Sequence, residues 1–313
     1  MKVFLAGATG ALGRRLVPQL NERGHSVTGT TRSEANAAAL WDLGAKPVVV
    51  DALDRDAVGD AVAAAQPDVI VHQLTALTGI DFRKFEKSFE PTNVLRTRGT
   101  DNLLAAARAA GVARFVAQSY AGWPYARSGG SVKTEDDPLD PEPAPQTRRT
   151  LDAILHLERA VTNTPGIDGI ALRYGGFYGP GTGMEPGGEQ LEAVKRRQFP
   201  LLGPARGVWS FVHIDDAAAA TVAAIEHGAP GIYNIVDDDP APVAEWLPYL
   251  AEVAGAKPPR HLPLWLGRAV GGEHMVVLMD QARGASNGKA RRELGWEPVR
   301  ASWRDGFREV LAA

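Results

Sequence analysis

Through the first half of the chain, short apolar runs rich in β-branched residues alternate with longer stretches in which apolar side chains recur every three to four positions. The short runs predict strands at Val3–Ala6, Ser26–Thr30, Pro47–Val50, Asp68–His72, Arg114–Gln118 and Gly169–Arg173. Helical periodicity fills the intervals near 11–23, 34–43, 54–65, 93–110 and 148–162. Strand, helix and strand in strict succession predict right-handed βαβ crossovers, and therefore an α/β fold with a doubly wound parallel sheet. In such a sheet the ligand lies beyond the carboxyl ends of the strands, so the residues just after each strand matter most.

Two stretches depart from this rhythm. Residues 123–147 are rich in Pro, Gly and acidic side chains and read as a long ordered loop over the ligand edge. From about Gly175 onward the pattern mixes Val208–His213, a helix at 216–227, a strand at 231–236 and helices near 243–254 and 302–312. This predicts a dinucleotide-binding unit at 1–174 and a smaller C-terminal substrate lobe at 175–313, parts of 208–236 packing back onto the first unit.

A chain of 313 residues buries a substantial core, and a formal net charge of −3 gives no electrostatic reason to expect nucleic acid or an anionic membrane as partner. A small-molecule substrate is the expectation, with the protein a monomer or homodimer. There is no cysteine, which removes disulfides, thiolate metal sites and thiol nucleophiles. The seven histidines are scattered without a His-x-x-x-His pair, so no metal is expected. Neither a secretory leader nor a stretch of about 20 apolar residues is seen, and the expected location is the cytoplasm.

The most informative motif follows the first strand: Gly7-Ala8-Thr9-Gly10-Ala11-Leu12-Gly13, opening a helix whose apolar stripe is Leu12, Leu16, Val17 and Leu20. Gly7 and Gly10 permit the tight turn and close approach of backbone to pyrophosphate. Gly13 lets helix and strand pack, and the helix N-terminus offers free N–H groups. This is the phosphate loop of a Rossmann nucleotide-binding sheet. At the end of the second strand, where an acidic residue would hold a ribose 2′-hydroxyl, the chain has Arg32, which favours the 2′-phosphate of NADP(H), with NAD(H) as the alternative. Asp51, after the third strand and beside Ala52, either accepts from the adenine amino group or caps the helix beginning near Asp54.

These residues, with Gly-Thr-Asp-Asn-Leu-Leu at 99–104, Arg-Phe-Val-Ala-Gln-Ser at 114–119, Leu-Arg-Tyr-Gly-Gly-Phe-Tyr-Gly-Pro-Gly at 172–181 and Trp-Ser-Phe-Val-His-Ile-Asp-Asp at 209–216, resemble the extended short-chain dehydrogenase/reductases of the NAD-dependent epimerase/dehydratase family. The resemblance spans nearly the whole chain. It implies that Leu74, Thr75 and Ala76 border the cofactor, that Gly175, Gly176 and Phe177 lie near the nicotinamide, and that Ser119 is the catalytic Ser/Thr.

The family's Tyr-x-x-x-Lys pair, whose spacing puts a proton donor and its lysine on one helix face, falls in this register on Thr150 and Ile154. The family asparagine before Gly-Thr is Arg96, with Asn93 one turn earlier. Thr150 retains a hydroxyl that orients but does not donate readily near neutral pH. Tyr125 and Tyr120 are the phenols near Ser119, and Tyr125 is the candidate acid. Trp123, Tyr178 and Trp209, with Leu262–Leu266, are expected to line an apolar or aromatic substrate cleft. His156 reads as surface or lobe packing, Asp216 as the cap of the helix that follows it, and Asp237–Asp239 as a solvated turn. The implied activity is NADP(H)-dependent reduction of a carbonyl or related group. A cofactor-binding sensor without turnover and a sugar-type epimerase or dehydratase are the alternatives.

Overall fold

The computed structural model describes residues 1–77 and 79–312. In its first half the strands β1 (Lys2–Ala6), β2 (Ser26–Thr31), β3 (Ala45–Val49), β4 (Val69–His72) and β5 (Arg114–Tyr120) alternate with helices α1 (Ala11–Glu22), α2 (Ala37–Asp42), α3 (Arg55–Ala65), α4 (Phe85–Val94) and α5 (Thr100–Ala109). A two-residue strand β6 (Val132–Lys133) interrupts the long loop, and α6 (Arg148–Asn163) leads into β7 (Asp168–Tyr174). Beyond it lie β8 (Gly176–Tyr178), α7 (Glu189–Lys195), β9 (Leu201–Leu202), β10 (Val208–Trp209), β11 (Phe211–His213), α8 (Ile214–His227) and β12 (Gly231–Ile235).

Seven strands form one sheet in the order β12-β7-β5-β4-β1-β2-β3, every neighbouring pair parallel. Side chains alternate across it. Val3 and Leu5 of β1 join Leu12, Leu16 and Leu20 of α1 and the alanine-rich face of α8, while Phe4 and Ala6 join Val58, Leu103, Leu157 and Val161 of α3, α5 and α6. Burial on both faces is why β1, β4 and β7 are apolar runs and not half-polar ones, whereas the edge strand β3 stays partly exposed.

The strand at 231–235 is the edge of this same sheet, aligned Tyr233 to Leu172, and α8 packs across α1. The chain thus leaves the sheet after β7 and returns to it. A second core, built on Tyr178, Phe211, Trp246, Trp303 and Phe307, holds the C-terminal segments together.

Three local differences from the sequence reading have physical causes. The helix expected from residue 93 begins at Phe85, with Pro91 inside it. Phe85 stacks on Phe89 at 4.2 Å and meets Trp123 edge-on at 5.9 Å, and this packing outweighs the backbone bond that proline removes. Between α4 and α5 the same helix makes one π turn, Leu95–Gly99. Finally, α8 starts at Ile214, because His213 Nδ1 accepts from the Asp215 amide at 3.2 Å. Its cap is therefore His213; Asp216 instead accepts the Arg300 amide through Oδ2 at 3.0 Å.

Candidate cofactor site and cleft

The turn after β1 is built for close approach. Gly7 sits at φ +95°, where a Cβ would lie 2.8 Å from the Gln73 backbone, and its amide donates to Thr30 Oγ1 at 3.2 Å. A Cβ on Gly13 would stand 2.4 Å from the Gly7 carbonyl oxygen, so α1 rests directly on the loop. Gly10 is the N-cap of α1 and supplies no side-chain cap, and Gly10, Thr9 and Ala11 keep partial or full exposure. The first amides of the helix are therefore left to an external acceptor, and the helix dipole makes an anion the favoured one. Leu12 is buried in the core beneath.

Arg32 is exposed at the end of β2 and has no hydrogen-bond or ion-pair partner among the described residues. Asp51 turns its own loop, Oδ1 accepting from Leu53 N at 3.0 Å, while the cap of α3 is Asp54, which accepts from Ala57 N at 3.1 Å. The capping alternative for Asp51 is thus excluded. Ala52 is buried, its carbonyl held by Asn102 Nδ2 at 3.0 Å.

At the end of β4, burial pushes the His72 pKa down to about 4, so the ring is neutral. The Leu74 amide donates to Nδ1 at 3.2 Å, and Nε2–H donates to Thr100 Oγ1, whose own proton goes to the Arg96 carbonyl. Ala76 N donates to Thr92 Oγ1. This lattice fixes Leu74, Thr75 and Ala76, all half-buried, along the sheet edge. On the far side Gly175 tolerates no side chain, since a Cβ would lie 2.6 Å from Ser210 O; Gly176 and Phe177 remain half-buried.

The interior of the cleft is dominated by a charged network that the motifs did not announce. Glu158 on α6 and Arg173 on β7 form a bidentate pair, 2.7 Å at each contact, with both side chains 4% exposed. Burial opposes the charge on Arg173, but hydrogen bonds and the charge of Glu158 hold its pKa above the ordinary arginine value. Ser119 Oγ donates to Glu158 Oε1 at 2.7 Å. Tyr125, 1% exposed, accepts from Arg173 Nη1 at 3.0 Å and donates to Asn234 Oδ1 at 2.6 Å. Burial raises its pKa. The hydroxyl protons of Ser119 and Tyr125 are thus both committed to protein acceptors. A charged residue inside the buried strand 168–174 was the available sequence signal for this network.

Thr150 is fully buried and its Oγ1 accepts from Asn93 Nδ2 at 3.1 Å. Ile154 belongs to an apolar cluster with Phe85, Trp123, Leu151 and Leu278, against which Tyr120 packs. Tyr120, Trp123 and Trp209 line a cavity of about 10 Å³, on the scale of one water, with Trp209 Nε1 tied to the Leu278 carbonyl. Tyr178 lies apart from it, wholly buried between His213 and Phe307 in the second core. His156 is an exposed partner of Asp101, and the helix 264–271 that follows Leu262 packs on β9 through Gly203 and Gly267. Among the described residues no cluster of His, Cys, Asp and Glu suits a metal ion, and no helix is long and apolar enough to cross a membrane.

On the segment between β4 and β5, four buried polar atoms have no partner: Gln73 Oε1, Asn93 Oδ1, and Arg96 Nε and Nη1. Unsatisfied buried groups are costly, and a cluster of them beside an open phosphate loop fits a bound dinucleotide and substrate.

Comparison with known proteins defines the class. The model of the NAD dependent epimerase/dehydratase family matches residues 3–236, and the chain belongs to that family. It is 46% identical over 308 residues to a 3-diazoavenalumate denitrifying reductase from a Streptomyces species, covering 98% of this chain and 99% of the relative. A 4-hydroxy-2-methyl-3-oxo-4-farnesyl-3,4-dihydroquinoline-1-oxide ketoreductase of Stigmatella aurantiaca is 29% identical, over 95% of this chain and 92% of that one. Among solved structures, the UDP-glucose 4-epimerase of Thermus thermophilus in complex with NAD superposes with a TM-score of 0.75 at 22% identity, over 100% of this chain and 98% of that one. The protein is a short-chain dehydrogenase/reductase-type oxidoreductase that uses a nicotinamide cofactor.

Proposed function

We propose that this protein is an NADP(H)-dependent reductase that removes a diazo group as N2 from a small aromatic acid. The observation carrying this reading is the pair of positions that the family register assigns to tyrosine and lysine: Thr150, buried on Asn93, and Ile154, inside an apolar cluster. Neither donates a proton efficiently, which is a defect for carbonyl reduction and none for this reaction. When bound, the reduced cofactor would supply hydride to the ring carbon; the C–N bond would break with its electron pair leaving on N2, and the product would need no proton.

The chain's own residues then position the partners. The glycine turn and α1 would hold the pyrophosphate, Leu74–Ala76 and Gly175–Phe177 would border the nicotinamide, and Arg32, exposed and unpaired among the described residues, would meet the 2′-phosphate. Identity of 46% along almost the full length to a reductase whose name specifies a diazo acid and denitrification supports the substrate class.

The test is turnover of 3-diazoavenalumate or 3-diazo-4-hydroxycinnamate with 4-deuterated NADPH. The expected result is N2 released mole for mole with NADPH oxidised, and deuterium on the ring carbon that bore nitrogen. Absence of N2 together with reduction of a β-keto acid panel overturns the reading in favour of carbonyl reduction, which the ketoreductase relative supports.

A further inference from the structure

Arg96 is 4% exposed, on the π turn between α4 and α5. It belongs to the helix stripe Thr92–Arg96–Thr100, and its two neighbours are tied to the sheet edge, Thr92 to the Ala76 amide and Thr100 to His72. Arg96 therefore lies over the carboxyl ends of β4 and β5. Nε and Nη1 have no partner. The groups within electrostatic reach of the guanidinium are Tyr120, Glu158 and His72. His72 is neutral, the Tyr120 phenol is pushed up to about 12 by burial, and Glu158 is already spent on Arg173 and Ser119. A buried cation thus stands in the cleft without a counter-ion of its own, and burial pulls its pKa down to about 10 against the opposing influence of Tyr120 and Glu158.

The missing partner has a definable chemistry. Ribose hydroxyls satisfy neutral acceptors, and Gln73 Oε1 and Asn93 Oδ1 are there to receive them. They do not neutralise a guanidinium. We propose that Arg96 is the anion-binding residue of the substrate site, taking a carboxylate or phenolate oxygen of the aromatic substrate, with Tyr120 as its wall. The inference rests on the proposed aromatic-acid substrate for the ligand's identity, but its test needs no turnover.

The experiment is calorimetric titration of the NADP⁺ complex with cinnamate, with the neutral methyl cinnamate, and with methyl 4-hydroxy-3-nitrocinnamate above its phenol pKa. At least one of the two anions should bind about tenfold or more tightly than the neutral ester, cinnamate marking a carboxylate site and the nitrophenol a phenolate site. Arg96→Met should erase that preference, leave NADPH affinity within about twofold, and unfold at the same or a higher temperature in the absence of ligand, because it removes an unpaired buried charge. Arg96→Lys should keep part of the preference. Equal binding of all three probes overturns the proposal. So does an Arg96→Met protein that loses NADPH affinity or thermal stability while still preferring the anion. These outcomes are independent of N2 release, so the reaction and the anion site fail separately.

Discussion

The Glu158–Arg173 pair offers the sharpest stability test. Glu158→Gln keeps the shape and removes the charge, leaving Arg173 buried and turning an amide N–H₂ toward its donors. With both side chains 4% exposed, solvent cannot repair the loss. Breaking such a pair costs about 3–5 kcal/mol. At ~2 °C per kcal/mol for a chain of this size, the thermal midpoint should fall by roughly 6–10 °C. Circular dichroism melts of the two proteins at equal concentration measure it. The double variant Glu158→Met, Arg173→Met should recover at least half of the loss, since it removes both charges and fills the volume. Ser119→Ala should cost only about 1–2 kcal/mol, because Oε1 retains Arg173 Nε. A drop of less than ~2 °C for Glu158→Gln would refute the assignment of the pair as a buried support of the cleft.

Other outcomes follow from the same geometry. Gly13→Ala should abolish cofactor binding or folding, as its Cβ would lie 2.4 Å from the Gly7 carbonyl; NADPH fluorescence titration and a melt decide which, and wild-type behaviour in both contradicts the packing. Arg32→Ala should lower NADPH affinity about tenfold or more while leaving NADH affinity nearly unchanged, read as the ratio of the two dissociation constants. Asp237 is 1% exposed, and burial raises its pKa from 3.8 to about 8. Its folded form prefers the proton, so its contribution is most favourable below about pH 4 and declines as pH rises to about 8. Asp237→Asn should flatten the fall in thermal midpoint across that window, and parallel profiles of wild type and variant would count against it.

The sheet was legible because its signals are local: β1, β4, β5 and β7 are largely buried on both faces and read as apolar runs, and the spacing of Gly7, Gly10 and Gly13 is set by the packing of α1 onto its own turn. What was not legible depends on partners far along the chain. Strand β12 was expected as a strand in a segment packing back on the first unit, but its place at the edge of the sheet is set by its pairing with β7. A helix was expected only from residue 93, and its start at Phe85 follows from aromatic packing with Phe89 and Trp123. In the cleft, Ser119 was placed by motif, but where its proton goes is set by Glu158, 39 positions away, and Tyr125 is held by Asn234, 109 positions away. Arg96 was visible as a departure from the family pattern. That it lacks a counter-ion is a property of the assembled interior.

The π turn at Leu95–Gly99 has one more consequence, for how this cleft can change over generations. A π turn holds one residue more than the α pitch allows, offsetting the two flanking helices by about 100°. Deleting any residue there would restore ordinary pitch and rotate α5 away from the register that seats Thr100 on His72. The segment is therefore fixed in length but free in composition: position 96 can exchange one side chain for another without disturbing its neighbours' anchors. New substrates are open to this scaffold by substitution at that point, and closed to it by insertion or deletion.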